Sequence, residues 1–495
     1  MLRIFFLVGV LISYNISAQT VCGGSDFPVN FDSDVEQFAC SRTSAIFNNI
    51  KKFQSHYTPD ANSPILTVSV ALHIWRDGNG NGNYLDNPAD RAYLTNLFET
   101  VMSNGFKYNS SPSDPLPGVN DLTDTRIRLK LQDIYYYDDD TYYLNGVSNN
   151  AKKQLNARAL ELHPECLKSI NFHFSGNTSV GHASQHTSGG SSTNSPRNTF
   201  IWSGYTGNGL GDGSAPLMTN TLAVKVMLNH ELGHAFGLCH TDDEPACKEK
   251  IDPNSLDFLS DIYAPPYTYP DGGWHLDPTS PSNTATNNVM GNTAAAAYLS
   301  PLQIGRIRRT LSQHYLLQSY TSGYSEVPLE VDVDETWDFP HKIYQDVVVK
   351  SGARLTITCV TTFVSQAKII IEPGAELILD RGRLTKAKFE DYWQGVYVAG
   401  NSSAGQTEAD QGKISIINGG EISYALDAIS NTNVDSQGNW LWGTTGGIIH
   451  CDNAYFLNNR RDVQLLAYTP PYAKNESYNA FFKNCTFLRR EDSYS

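Results

Sequence analysis

Apolar and polar positions divide the chain into a mixed first part and a repetitive second part. From Pro64 the run over residues 65–75 is apolar and β-branched enough for a buried strand, and residues 127–137, 170–174 and 199–202 read as further strands. Helical spacing intervenes. Tyr93, Leu94, Leu97, Val101 and Phe106 fall on one side of a helix predicted over residues 89–108, and a second helix is predicted over residues 149–162. Leu222, Val224, Val226, Met227 and Leu228 give a buried side to a third helix, which runs into a group of histidines. Ser300-Pro301 starts a fourth, with Leu302, Ile304, Ile307 and Leu311 on its apolar face. Strands and helices in this order predict an α/β domain, a mixed twisted sheet with helices packed on it.

Beyond Ser322 the pattern becomes all-β. The stretch from Val347 to Ile357 recurs 22 residues later from Ile369 to Leu379, with Lys350-Ser351-Gly352-Ala353 answered by Glu372-Pro373-Gly374-Ala375. Residues 393–398, 414–422 and 447–450 fit the same scheme, and Ala454-Tyr455-Phe456 is echoed by Ala480-Phe481-Phe482. Short apolar strands separated by Gly and Asn turns at such a period predict a right-handed parallel β-helix, in which each coil buries its face on the next. A β-sandwich is the competing reading. Few polar capping features follow Cys485, so the chain is expected to continue past Ser495.

At 495 residues the chain is long enough for several domains. Residues 1–18 read as a signal peptide: Arg3, an apolar core over residues 4–12, and Ser17-Ala18 before Gln19. No later segment is long and apolar enough to span a bilayer. The reading is therefore secreted, with an N-terminal or propeptide-like segment at 19–62, an α/β domain at 63–320, a linker at 321–340 and repeats at 341–495. A formal charge of −15 argues against nucleic acid as a partner, because that binding needs a basic face. Export favours oxidation of the eight cysteines. Cys239 and Cys247 are one candidate pair. Cys22 is read either as a disulfide partner of Cys40 or as a thiolate that blocks a metal until the segment is removed.

The candidate chemistry lies at His230-Glu231-Leu232-Gly233-His234-Ala235-Phe236-Gly237-Leu238-Cys239-His240. Two histidines four apart share a helix face and can turn both imidazoles on one ion, while Glu231 reaches a water bound there. Gly237 can take the positive φ that turns the chain sharply and returns His240 as a third nitrogen ligand. Three protein ligands leave a fourth position for water, which marks a catalytic zinc site. Chance recurrence of the five fixed positions is on the order of 10⁻⁵ to 10⁻⁴ per chain, which disfavours an ordinary core helix. Asp77-Gly78-Asn79-Gly80-Asn81 imitates the start of a calcium loop, but Pro88 stands where the closing Glu belongs, and a Gly-rich turn competes with it.

Asn287-Asn288-Val289-Met290-Gly291 follows 50 residues after His240. With the three-histidine motif, this later methionine resembles the metzincin clan of zinc endopeptidases. Thr241 after the third histidine and the Ser-Pro-x-Gln helix start after the methionine are most similar to the pappalysin family, over roughly residues 63–320. The resemblance implies His230, His234 and His240 as zinc ligands, Glu231 as general base and Met290 as the methionine turn. It implies a protein or peptide substrate lying along an edge strand, with calcium as an additional candidate near Asp242, Asp243 or Asp257. The family's tyrosine two residues after the methionine is replaced by Asn292. Tyr298 is the nearest downstream candidate to stabilise the transition state, and a packing residue otherwise. The competing functional readings are a carbohydrate-active or carbohydrate-binding β-helix, and a non-catalytic surface adhesin with a relic metal site.

Overall fold

Strand β1 (Leu66–Arg76) is the spine of the first part of the molecule. In the computed structural model, the described residues are 57–82, 84–112, 118–144, 149–175, 182–185, 200–203, 228–230, 232–233, 235–238, 259, 261–262, 287–290, 297–313, 315–469 and 478–489. The predicted signal peptide, most of the 19–62 segment, and Cys22, Cys40, Cys239 and Cys247 lie outside them. β1 pairs in parallel with β2 (Ile127–Asp138) and β3 (Ile170–Phe174); β3 pairs in parallel with β5 (Phe200–Ser203), and β4 (His182–Gln185) is antiparallel to β5 at the sheet edge. The short β6 (Thr321–Ser322) returns antiparallel to β1.

Alternation along β1 sorts its side chains to two faces. Val68, Val70, Leu72 and Ile74 face a core shared with α1 (Pro88–Asn96), a π-helical turn over Leu97–Met102, α2 (Ser103–Lys107), the helical residues around His230, and α5 (Pro301–Gln313). Each fully buried aliphatic or aromatic side chain there contributes roughly 1.5–3 kcal/mol. Ala71, His73 and Trp75 face the other way. On that side Trp75 packs with Leu155 and Ala159 of α4 (Asn149–Leu162), and Ala71 with Leu160 and Cys166. A short helix α3 (Asp140–Leu144) precedes α4.

The candidate calcium loop is a closed turn. Asp77 Oδ1 accepts the backbone N–H groups of Asn79 and Asn81 at 2.9 and 2.8 Å, and Oδ2 accepts Asn81 Nδ2 at 3.1 Å. The same Asp-to-Asn bonds recur at Asp435 and Asn439 in the second part of the chain.

From Ser325 the chain winds through three parallel six-stranded sheets, a parallel β-helix-like region. The first sheet stacks β7 (Ser325–Val331), β10 (Gln345–Val349), β13 (Lys368–Ile371), β16 (Trp393–Val398), β19 (Ala425–Ser430) and β22 (Arg461–Gln464). The second stacks β8 (Glu335–Trp337), β11 (Arg354–Ile357), β14 (Glu376–Asp380), β17 (Lys413–Ile417), β20 (Ile448–Asp452) and β23 (Ala480–Lys483). The third stacks β9 (His341–Ile343), β12 (Val360–Phe363), β15 (Arg383–Lys386), β18 (Glu421–Ser423), β21 (Tyr455–Leu457) and β24 (Thr486–Leu488). Residues 321–340, read as a linker, carry β6, β7 and β8. The 22-residue repeat is the rung spacing itself, since Val347 sits against Ile369 and Leu355 against Leu377.

The corners carry residues in the left-handed region. Arg381, Asn418, Asn453 and Asn484 turn the chain from the second sheet to the third, and Phe389, Tyr424 and Asn458 turn it from the third to the first. Asparagine tolerates that conformation well, which accounts for its recurrence. The echo between Ala454-Tyr455-Phe456 and Ala480-Phe481-Phe482 joins different sheets: Tyr455 pairs with Thr486, and Phe482 with Cys451. A strand followed by a left-handed Asn occurs at either corner, so the short pattern does not identify its sheet.

Of the cysteines expected to be oxidised, Cys166, Cys451 and Cys485 carry thiols. Cys359 is disulfide-bonded, and its partner lies outside the described residues. Among the described residues no helix is long and apolar enough to cross a membrane.

Candidate metal centre

His230 sits on a helical stretch whose Leu228, Leu232, Ala235 and Phe236 are buried in the sheet-facing core. Phe236 meets Phe106 of α2 edge to face at 5.9 Å, which anchors this segment to the opposite helix. Gly237 takes φ +88°, as the motif requires, and the Leu238 N–H donates to the Gly233 carbonyl at 3.0 Å. That six-to-one bond with a left-handed glycine is a Schellman ending, and it turns the chain off the helix just before the position of His240. Glu231, His234 and His240 themselves lie outside the described residues.

The imidazole of His230 is oriented by a group far away in sequence. Its Nδ1 lies 2.8 Å from the carbonyl oxygen of Val289. A carbonyl can only accept, so Nδ1 carries a hydrogen, and in the neutral ring the lone pair lies on Nε2. The next residue, Met290, is fully buried, and a Cβ placed on Gly233 would overlap its sulfur. Glycine at 233 thus lets the methionine pack directly on the turn of helix between His230 and the position of His234.

A polar network fixes that methionine turn. Asn288 Oδ1 accepts the Met290 N–H at 2.9 Å, and Asn288 exchanges side-chain bonds with Gln303 at 2.8 and 3.2 Å. Gln303 Oε1 also accepts the Ser300 N–H at 2.9 Å, while Ser300 Oγ accepts the Gln303 N–H at 3.2 Å. This is a capping box at the start of α5. Asp261 reinforces it, accepting from Ser300 Oγ and from the Leu302 N–H, both at 2.8 Å. Burial pushes the Asp261 carboxyl up to about 6 despite these bonds. The Ser-Pro-x-Gln signal was legible in the sequence. Its bonds to the methionine turn and the contribution of Asp261 were not, because neither has a spacing signature.

Tyr298 is buried beside this turn. Its backbone bridges to Asn287 and Val289, and its hydroxyl donates to Asp121 Oδ1 at 2.7 Å. Burial and the adjacent carboxylate together hold the phenol well above its ordinary range. That single hydrogen would have to leave Asp121 before it could stabilise an oxyanion.

No protein-family model matches the chain, and no curated protein matches it.

Proposed function

We propose that the protein is a secreted zinc-dependent endopeptidase whose α/β domain is of metzincin type, most similar to the pappalysins, carried on a right-handed parallel β-helix. The observation that carries this reading is the 2.8 Å bond from His230 Nδ1 to the Val289 carbonyl, beside a buried Met290 packed on Gly233. A buried histidine needs a hydrogen-bond partner in any role; what favours a ligand here is that the partner belongs to the turn that carries Met290, so that the bond orients the first histidine of the motif and sets its tautomer.

The donor set suits zinc: His230, His234 and His240 would hold it, with the fourth position open. When bound, the ion supplies Lewis acidity that acidifies a water molecule and polarises a peptide carbonyl. Glu231 would accept a proton from the attacking water and pass it to the departing amine. The Val289 carbonyl keeps His230 in one tautomer throughout. Among the described strands β4 stands at the sheet edge, where an extended peptide would add main-chain hydrogen bonds.

The test compares zinc-loaded protein with its Glu231→Gln variant on an unfolded protein substrate, each at measured and equal zinc content. Cleavage by the first with at least about a hundredfold loss in the second supports the proposal. Equal cleavage by both, or none by either once residues 19–62 have been removed, overturns it.

A further inference from the structure

Among the described residues Cys359 is disulfide-bonded, while Cys166, Cys451 and Cys485 carry thiols and so are not its partner. The partner is therefore Cys22, Cys40, Cys239 or Cys247. Position decides among them.

Cys359 is fully buried at the corner between β11 and β12. Trp337 pairs with Ile357 and His341 with Thr361, so in the same register Phe339 of the first coil lies one rung, about 4.8 Å, from Cys359. The Phe339 ring stands 5.5 Å from that of His341. His341 in turn holds Tyr57, with ring centroids 5.6 Å apart and Nδ1 3.0 Å from the hydroxyl. The chain thus joins the described fold at a residue two side chains away from Cys359. Gln313, at the end of α5, donates to the same hydroxyl at 3.1 Å.

Cys239 follows Leu238, which packs with Met290 beside Gly233, at the Ser300 end of α5. The 13 residues of α5 separate its two ends by about 20 Å, whereas a disulfide spans at most about 7 Å between Cα atoms. Cys247 lies between Leu238 and Asp261, both at that same end. Reaching Cys359 would use most of the about 30 Å that the nine residues after Leu238 can span. Cys40 is 17 residues from Tyr57, a tether of about 25 Å even if helical throughout, and Cys22 is 35 residues away, a longer loop to close. The shorter tether also carries Ile46, Phe47, Ile50 and Phe53 at helical spacing, an apolar stripe that suits the open end of a stack of rungs.

We propose that Cys40 and Cys359 form this disulfide, which ties the N-terminal segment to the second coil of the β-helix-like region. As the S–S bond forms, the two thiols pass two electrons and two protons to the disulfide of an oxidoreductase or of a small thiol, which becomes two thiols. Cys22 is then not the partner of Cys40. A cut between Cys40 and residue 63 leaves the N-terminal fragment attached through sulfur, so removing residues 19–62 takes reduction as well. The bond is independent of Glu231 and of the proposed metal site.

The full chain would be denatured with its thiols alkylated, digested without reductant by a protease that cuts at acidic residues, and mapped by mass spectrometry. Asp26, Asp32, Asp34 and Glu36 separate Cys22 from Cys40, and Asp242, Asp243 and Glu244 separate Cys239 from Cys247. A peptide pair joining Cys40 to Cys359 is expected. Thiols titrated in denaturant should rise by one in Cys40→Ser and by one in Cys359→Ser, and return to the wild-type count in the double variant. The map of the wild-type chain keeps the test valid if a variant folds poorly. Cys359 joined to Cys22, Cys239 or Cys247, an alkylated Cys359, a count that falls in Cys40→Ser, or a count two higher in the double variant would each overturn the proposal.

Discussion

At the scale of single residues, the face of the sheet away from Met290 holds a pair of stacked, buried histidines. His73 and His173 stack at 4.7 Å, with His73 bonded to Tyr137 and Asn171, and His173 to Trp75 and Asn156. Tyr135 stacks on His73 from the adjacent strand, and His163 and Glu165 act on it from farther off. Burial pulls His73 down to about 4 and His173 well below its ordinary range, so both are neutral in the fold. The unfolded chain binds these protons from about pH 6.5 downward and the fold does not, so stability present at neutral pH is lost as pH falls from 6.5 toward 4. For His73 alone the loss is about 3 kcal/mol. Asp261, raised to about 6, acts oppositely over much of the same window by a similar amount, which leaves His173 to decide the sign: net destabilisation in acid. The urea midpoint should therefore fall between pH 6.5 and 4, and His73→Gln should flatten that fall measurably. Protonation of the proposed metal ligands affects both proteins alike and cancels in the comparison. An equally steep fall in the variant would remove the stacked pair from the account.

At the scale of elements, the first turn of α5 joins stability to the turn that carries Met290, and through it to the proposed metal site. Ser300→Ala removes a helix cap and a hydroxyl bond to Asp261, a loss of about 1–2 kcal/mol. Gln303→Ala removes the opposite half of the capping box and also the two bonds to Asn288, which holds the Met290 N–H. It should cost about 2–3 kcal/mol and, unlike Ser300→Ala, should weaken zinc affinity about tenfold in competition with a chelator. Equal affinities in the two variants would show that Gln303 acts only as a cap. Much at this scale was legible in the sequence. The helices over residues 89–108 and 149–162 and the strand over 127–137 stand close to where periodicity put them, because each buries one continuous apolar side. The rungs at Val347 and Ile369 were legible because alternation and a fixed period coincide. The first coil was not, although Val327, Leu329 and Val331 alternate in β7: a helix rather than another coil packs beside it, and of these three only Val331 is buried. Nor could the sequence show that His230 is aimed by Val289, since a backbone carbonyl leaves no trace in residue identity.

At the scale of the whole molecule, the α/β part and the β-helix-like part share one apolar core, running from Val68 through Ile307 and Leu311 to Trp337, Phe363 and the stacked rungs. Polar bonds lock the seam. Ser312 of α5 and Lys342 of β9 exchange a hydroxyl and two backbone groups, Thr362 of β12 bonds to Gln318 of α6 (Tyr315–Tyr320), and Tyr57 links His341 to Gln313. The Lys342 ammonium is almost wholly buried, donates to the carbonyls of Gln318 and Thr321 at 3.0 and 2.7 Å, and pairs with Glu390 at 3.2 Å. Burial draws it down to about 8, so part of what its bonds contribute is spent on desolvation. Lys342→Met keeps the apolar stem and removes that desolvation cost, yet leaves two buried carbonyls without their donor and Glu390 without its cation. The balance is a loss of about 2–4 kcal/mol, concentrated at the seam. Wild-type protein should then unfold in one calorimetric transition, with calorimetric and van't Hoff enthalpies equal, because neither part can expose its side of the core without the other. In Lys342→Met the transition should move down by several degrees and broaden or split, as the α/β part detaches from the more regular rungs. Two resolved transitions already present in the wild type would mean that the shared core does not couple the two parts, and that α5 belongs energetically to the first part alone.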